Sequence, residues 1–158
     1  MATTKQIIDL VYSTITDSNL SRVLPVLDEQ IVLHIPDNVP FGGEYHGRGG
    51  FLALMSNVYK LYESIQLSSL IFFAPDDASL LEKSIVVTGK LEGKLHISDE
   101  PITVSFIHYW LLSQEKVVEL RVFHWDTERL RSHFLPPAKG PMGSANGHSS
   151  SENGNLPE

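Results

Sequence analysis

Apolar residues recur along this chain with two different periods, and the change from one to the other divides it in two. Ile8, Val11, Tyr12 and Ile15 fall at three- and four-residue spacing, which places them on one face of a helix. Thr3 and Gln6 stand ahead of it at capping-box spacing, and Asp17-Ser18-Asn19 interrupts it. Leu20, Val23, Leu24 and Leu27 continue the period, but Pro25 breaks any helix begun much before Ser21. The spacing therefore predicts a short second helix capped by Ser21. Ile31, Leu33 and Ile35 alternate with Val32 and His34, which predicts a two-faced strand ending at Pro36. A Gly- and Pro-rich loop follows, and Phe51, Leu54, Met55 and Val58 mark a third helix.

Beyond that helix the period falls to two. Strand-like runs cover 65–74, 80–91, 101–112 and 117–125, separated by turn signals at Pro75-Asp76-Asp77 and Ser113-Gln114-Glu115-Lys116. Helices segregated from a mainly antiparallel sheet define an α+β chain. Long curved strands wrapped around three helices in the N-terminal half leave a cone-shaped cavity suited to a small apolar ligand.

Composition narrows the function. The chain has 158 residues, no cysteine and a net charge of −7, so disulfides, thiolate metal sites and thiol nucleophiles are excluded. An acidic chain without a basic run is a poor partner for nucleic acid. No run approaches the roughly 18 apolar residues of a membrane span, and MATTKQIIDL lacks the pattern of a signal peptide, so a cytoplasmic protein away from membranes is expected. Of the last 23 residues, 15 are Pro, Gly, Ser or Asn. The expectation is one folded domain over 1–135 and a disordered tail over 136–158.

Several motifs fail on spacing. Gly42, Gly43, Gly47, Gly49 and Gly50 fit neither the dinucleotide nor the Walker pattern. The seven histidines include no His-Glu-x-x-His, and no metal site is expected. A Gly-x-Ser-x-Gly elbow is missing too.

Alternation offers a pocket instead. Val104, Phe106, His108, Trp110 and Leu112 share one strand face, as do Val118, Leu120, Val122 and His124 on the next. If these faces are concave, His108 and His124 look inward, where an unpaired polar group costs roughly 1–3 kcal/mol unless a neighbour or a ligand pairs with it. A one-residue slip of the hairpin would set Arg121 and Phe123 against His108 and turn His124 outward. Phe72 and Phe73 face opposite sides, which leaves one large apolar group on the convex face and favours a homodimer formed through the sheet.

The loop Pro40-Phe41-Gly42-Gly43-Glu44-Tyr45-His46-Gly47-Arg48 and the last strand KVVELRVFHWD, in this element order, resemble the SnoaL-like group of the nuclear-transport-factor-2-like superfamily, which includes polyketide cyclases and ketosteroid isomerases. The resemblance spans residues 4 to about 130. It implies a cofactor-independent enzyme that removes a proton beside a carbonyl of a small, largely apolar metabolite; a non-catalytic binding or dimerisation domain is the alternative. It also implies a donor to the enolate oxygen at His108, a general base at His124 or Asp126, and a second proton carrier at His34 or Asp37. Tyr12, Tyr45, Phe106, Trp110 and Leu120 would shape the substrate pocket. Asp126, followed by Thr127 and Glu128, has an equally simple reading as the N-cap of a short helical turn over 127–134.

Overall fold

The computed structural model describes residues 2–75 and 79–135. The tail from Pro136 and part of the turn at Pro75-Asp76-Asp77 lie outside these residues.

Helix α1 (Thr4–Asp17) begins at a full capping box: the Thr3 hydroxyl accepts from the Gln6 amide, and the Gln6 side chain accepts from the Thr3 amide. It ends at Ser18 in the left-handed conformation. The predicted second helix is instead two 3-10 turns, Leu20–Arg22 and Leu24–Val26. Pro25 supplies no amide to continue a helix, and the Ser21 hydroxyl donates to Asn19 Oδ1 rather than capping one.

Strand β1 (Leu27–Ile35) turns Leu33 and Ile35 inward and leaves His34 on the other face. The glycine-rich loop holds a short strand the periodicity does not reveal, β2 (Gly43–His46), paired antiparallel to β1. Gly43 and Gly47 bracket it at φ +123° and +72°, conformations that side chains resist, which accounts for two of the five glycines. Helix α2 (Gly47–Leu61) buries Phe51, Leu54, Met55 and Val58, and Arg48 ties its start to β1 through two hydrogen bonds to the Leu27 carbonyl.

Four long strands follow: β3 (Tyr62–Phe73), β4 (Glu82–Leu95), β5 (Pro101–Ser113) and β6 (Lys116–His124). The sheet order is β2-β1-β6-β5-β4-β3, antiparallel throughout except where β1 runs parallel to β6. Gln114 and Glu115, at φ +50° and +64°, form the tight turn between β5 and β6, with the double positive φ that matches strand twist. Helix α3 (Thr127–Phe134) closes the described chain, over the residues where the short terminal turn was expected. The N-terminal half therefore contributes two α-helices and two 3-10 turns, and the third α-helix follows the sheet.

The register sets the site. Phe106 pairs with His124, His108 with Val122 and Trp110 with Leu120, so all six share the concave face. A bulge between Leu111 and Leu112 then brings Leu112 opposite Val117. Val117 is consequently the buried residue, and Val118 leaves the inward set to which alternation assigns it.

Candidate functional site

An interior cavity of about 110 Å³ lies between the concave face and the three α-helices. Its wall is apolar, with Trp110, Leu120 and Val122 from the sheet, Leu54 and Met55 from α2, and Leu130 from α3. It is smaller than the ~150 Å³ void that admits benzene and well below the roughly 300 Å³ of ordinary ligand pockets, so a ligand larger than a few heavy atoms enters only if the wall moves. Among the described residues, no carboxylate lines it.

Two phenols, two imidazoles and the Trp110 indole interrupt this wall; burial pushes the Tyr62 phenol up to about 12. Helix α1 aims Tyr12 across the cavity, where its hydroxyl lies 2.9 Å from His108 Nδ1 and accepts a 2.9 Å hydrogen bond from the Trp110 indole. The His108 ring is stacked on Phe106, with centroids 4.0 Å apart and planes inclined by 19°, and on Tyr12 at 5.8 Å. Loss of solvent pushes its pKa down to about 3, with a smaller contribution from the neighbouring His124. Burial also raises the Tyr12 phenol well above its ordinary value, against a smaller lowering by the Trp110 hydrogen bond. His124 is depressed to about 4 by the same desolvation, and its Nδ1 is buried without a partner among the described residues. Near neutral pH the cavity is therefore uncharged, although two imidazoles and two phenols line it.

His124 is also the one residue that lines both this cavity and a surface groove of about 480 Å³, walled by Ser69, Lys90, Phe123 and Trp125 among others. It stands between the interior and solvent.

The remaining sequence candidates lie elsewhere. Asp126 is exposed, sits at φ +50° and caps α3, its carboxylate accepting from the Arg129 amide at 3.2 Å. Asp37 is exposed in the loop after β1 and borders a separate surface depression beside Arg131. His34 lies on the outer face, its ring nitrogens each 3.2 Å from a carboxylate, Glu44 on β2 and Glu119 on β6. Tyr45 points its hydroxyl at the Phe41 carbonyl, 2.8 Å away, and does not line the cavity. Phe106 stacks on the face of His108 and does not line the cavity, while Tyr12, Trp110 and Leu120 form the wall itself.

Helix α3 as a cavity wall is what the sequence reading missed. Leu130 is buried, and the Phe134 ring stands edge-on between Phe41 and Tyr62 at 6.2 and 6.1 Å. The signal was present: these two apolar residues are spaced i, i+4 in an otherwise polar segment. Among the described residues, no group of three or more His, Asp or Glu is placed to hold a metal ion. No described helix is long and apolar enough to cross a membrane.

No family model matches the chain, and no curated protein matches it in sequence. Solved structures match it in fold. An NTF2-like protein of unknown function from Burkholderia pseudomallei superimposes with a TM-score of 0.69 at 20% identity, covering 82% of this chain and 95% of that one. A candidate polyketide cyclase from Pseudomonas putida gives 0.68 at 14% identity, covering 82% and 96%. TerC, co-crystallised with polyporic acid, gives 0.68 at 17% identity, covering 81% and 95%. The chain thus has the nuclear-transport-factor-2-like fold, shared with proteins assigned as cyclases. At these identities the likeness is one of fold.

Proposed function

We propose that this protein is a cofactor-independent acid/base enzyme of the cyclase or isomerase type, acting on a small, neutral, largely apolar carbonyl compound. The observation that carries the reading is the pair of uncharged imidazoles, His108 and His124, on the concave wall of an otherwise apolar cavity. Buried polar groups weaken a core unless they are paired, and a ligand supplies the missing partner here.

In this reading His108 donates a hydrogen bond to the carbonyl oxygen, and His124 takes the proton from the adjacent carbon. The C–H electron pair becomes the enolate π bond, and the charge comes to rest on the oxygen facing His108. The desolvation that makes His124 a weak base in the empty site is offset by the enolate's opposite charge as it develops. Where a C=C adjoins the carbon that loses its proton, the enolate is a dienolate, and return of the proton from His124 to its far carbon completes an isomerisation. Attack of the enolate carbon on a second carbonyl of the same molecule closes a ring, and the alkoxide so formed takes the proton back from His124. TerC's co-crystallisation with polyporic acid supports small-molecule binding in this fold.

A second reading, a non-catalytic binding or dimerisation domain, is favoured by the small size of the cavity and, among the described residues, by its lack of a carboxylate. Proton exchange in D2O separates the two. A panel of small neutral ketones is incubated with the protein and followed by NMR for deuterium at the carbon next to the carbonyl. Catalysed exchange, lowered roughly 10²–10⁴-fold in His124→Gln, supports the enzyme; binding without exchange supports the binding domain.

A homodimer through the outer face belongs to the same proposal. Ile71, Thr88, Ile107 and Phe123 pair across four strands, and Trp125 beside them is 76% exposed. Analytical ultracentrifugation of the protein and of Trp125→Glu tests it, a dimer reduced to monomer being the expected result.

A further inference from the structure

Tyr12 stands at the centre of a three-residue relay whose proton positions follow from the donors available. The Trp110 indole nitrogen only donates, so it fills one acceptor position of the Tyr12 oxygen at 2.9 Å. The phenolic proton then needs an acceptor of its own. Tyr12 is 3% exposed, and among the described residues its hydroxyl has one further partner, His108 Nδ1, at 2.9 Å. Were Nδ1 protonated, it would donate to the same oxygen and leave the buried phenolic proton unpaired. That arrangement is disfavoured by roughly tenfold to a hundredfold. With Nδ1 as acceptor, the single ring proton of neutral His108 is on Nε2, and the ring is part of the cavity wall.

We infer that Tyr12 and Trp110 are positioning residues that hold His108 in the Nε2–H tautomer, so that the cavity presents its ligand with a fixed hydrogen-bond donor. Tyr12 selects the tautomer; Trp110 occupies the competing acceptor position and anchors the hydroxyl. Phe106, stacked on the imidazole, and Tyr12 on the same ring restrict its rotation. A fixed donor suits a carbonyl or quinone oxygen and gives nothing to a ligand group that can only donate. The catalytic consequence rests on the proposed function above, but the tautomer is a property of the protein alone.

The test is ¹⁵N NMR of the histidine side chains in the full chain without ligand, from pH 8 to pH 5. The expected result is one His108 species with Nε2 protonated and Nδ1 bare and hydrogen-bonded across that range. Protonated Nδ1, or averaged shifts for the two nitrogens, overturns the inference. In Tyr12→Phe, which keeps the ring and removes the hydroxyl, the two shifts are expected to move toward averaged values as the imidazole becomes free to flip. A Tyr12→Phe spectrum identical to that of the wild type also overturns it. A single tautomer in a protein that catalyses no exchange leaves this inference standing and removes the enzymatic reading; averaged shifts in a protein that does catalyse exchange do the reverse.

Discussion

Phe106 and His124 are direct partners across the β5–β6 ladder, and that one pairing turns both candidate histidines inward. His108 lies two residues beyond Phe106, so the period-two rule places it on the same face. The tight turn at Gln114-Glu115 and the bulge at Leu111/Leu112 together select this register over the slipped one. The site thus depends on hairpin geometry some distance away from it.

Burying two neutral histidines makes stability depend on pH. Both folded-state pKa values lie below the unfolded value of about 6.5, so the unfolded chain binds protons that the folded chain does not. Stability is complete above pH 6.5 and falls as the pH drops toward 4, by up to about 1.4 kcal/mol per histidine per pH unit. Chemical denaturation at pH 7.5, 6 and 5 should show the fall. His124→Gln should remove about half of the slope, and an unchanged slope would show that His124 titrates as it does in water.

Gly89 is held open for the ring that supports His108. A Cβ there would stand 2.8 Å from Phe106 Cζ and 2.6 Å from Leu70 Cδ2. Gly89→Ala is expected to cost about 1–3 kcal/mol in thermal or chemical denaturation. It should also disturb the Phe106–His108 stack, read as a shift of the His108 ring signals larger than that of His34 on the outer face.

Asp126 caps α3 from a left-handed backbone. Asn accepts both roles, so Asp126→Asn should leave stability within about 0.5 kcal/mol of wild type, whereas Asp126→Ala should cost about 1–2 kcal/mol and expose α3 amides to hydrogen exchange. Ketone exchange should survive in Asp126→Asn. Its loss in a stably folded variant would move the base from His124 to Asp126.

The elements with long, regular patterns were readable from sequence: α1 with its cap, α2, the four later strands, and the turn joining β5 to β6 all follow from spacing. β2 was not, because four residues between glycines have no period to detect and owe their conformation to pairing with β1. The substitution of Val117 for Val118 in the core was equally hidden, since a bulge leaves no mark on alternation. At the site, period two puts His108 and Trp110 on one face, but His124 joins them only through the hairpin register that the turn and the bulge set. The Asp126 cap over 127–134 was legible as one of two readings, and alternation in β1 put His34 opposite the buried residues; the surroundings of Asp37 in its loop and the ion pairs of His34 were not legible. The Trp110–Tyr12–His108 relay joins residues nearly a hundred positions apart and required the folded chain to be seen.

The most direct measurement is a crystal structure with a small neutral ketone that the protein exchanges or binds. The ligand is expected in the interior cavity, its oxygen within about 3 Å of His108 Nε2 and the adjacent carbon toward His124. A ligand seated in the outer groove against Phe123 and Trp125, with the interior unchanged, would contradict it.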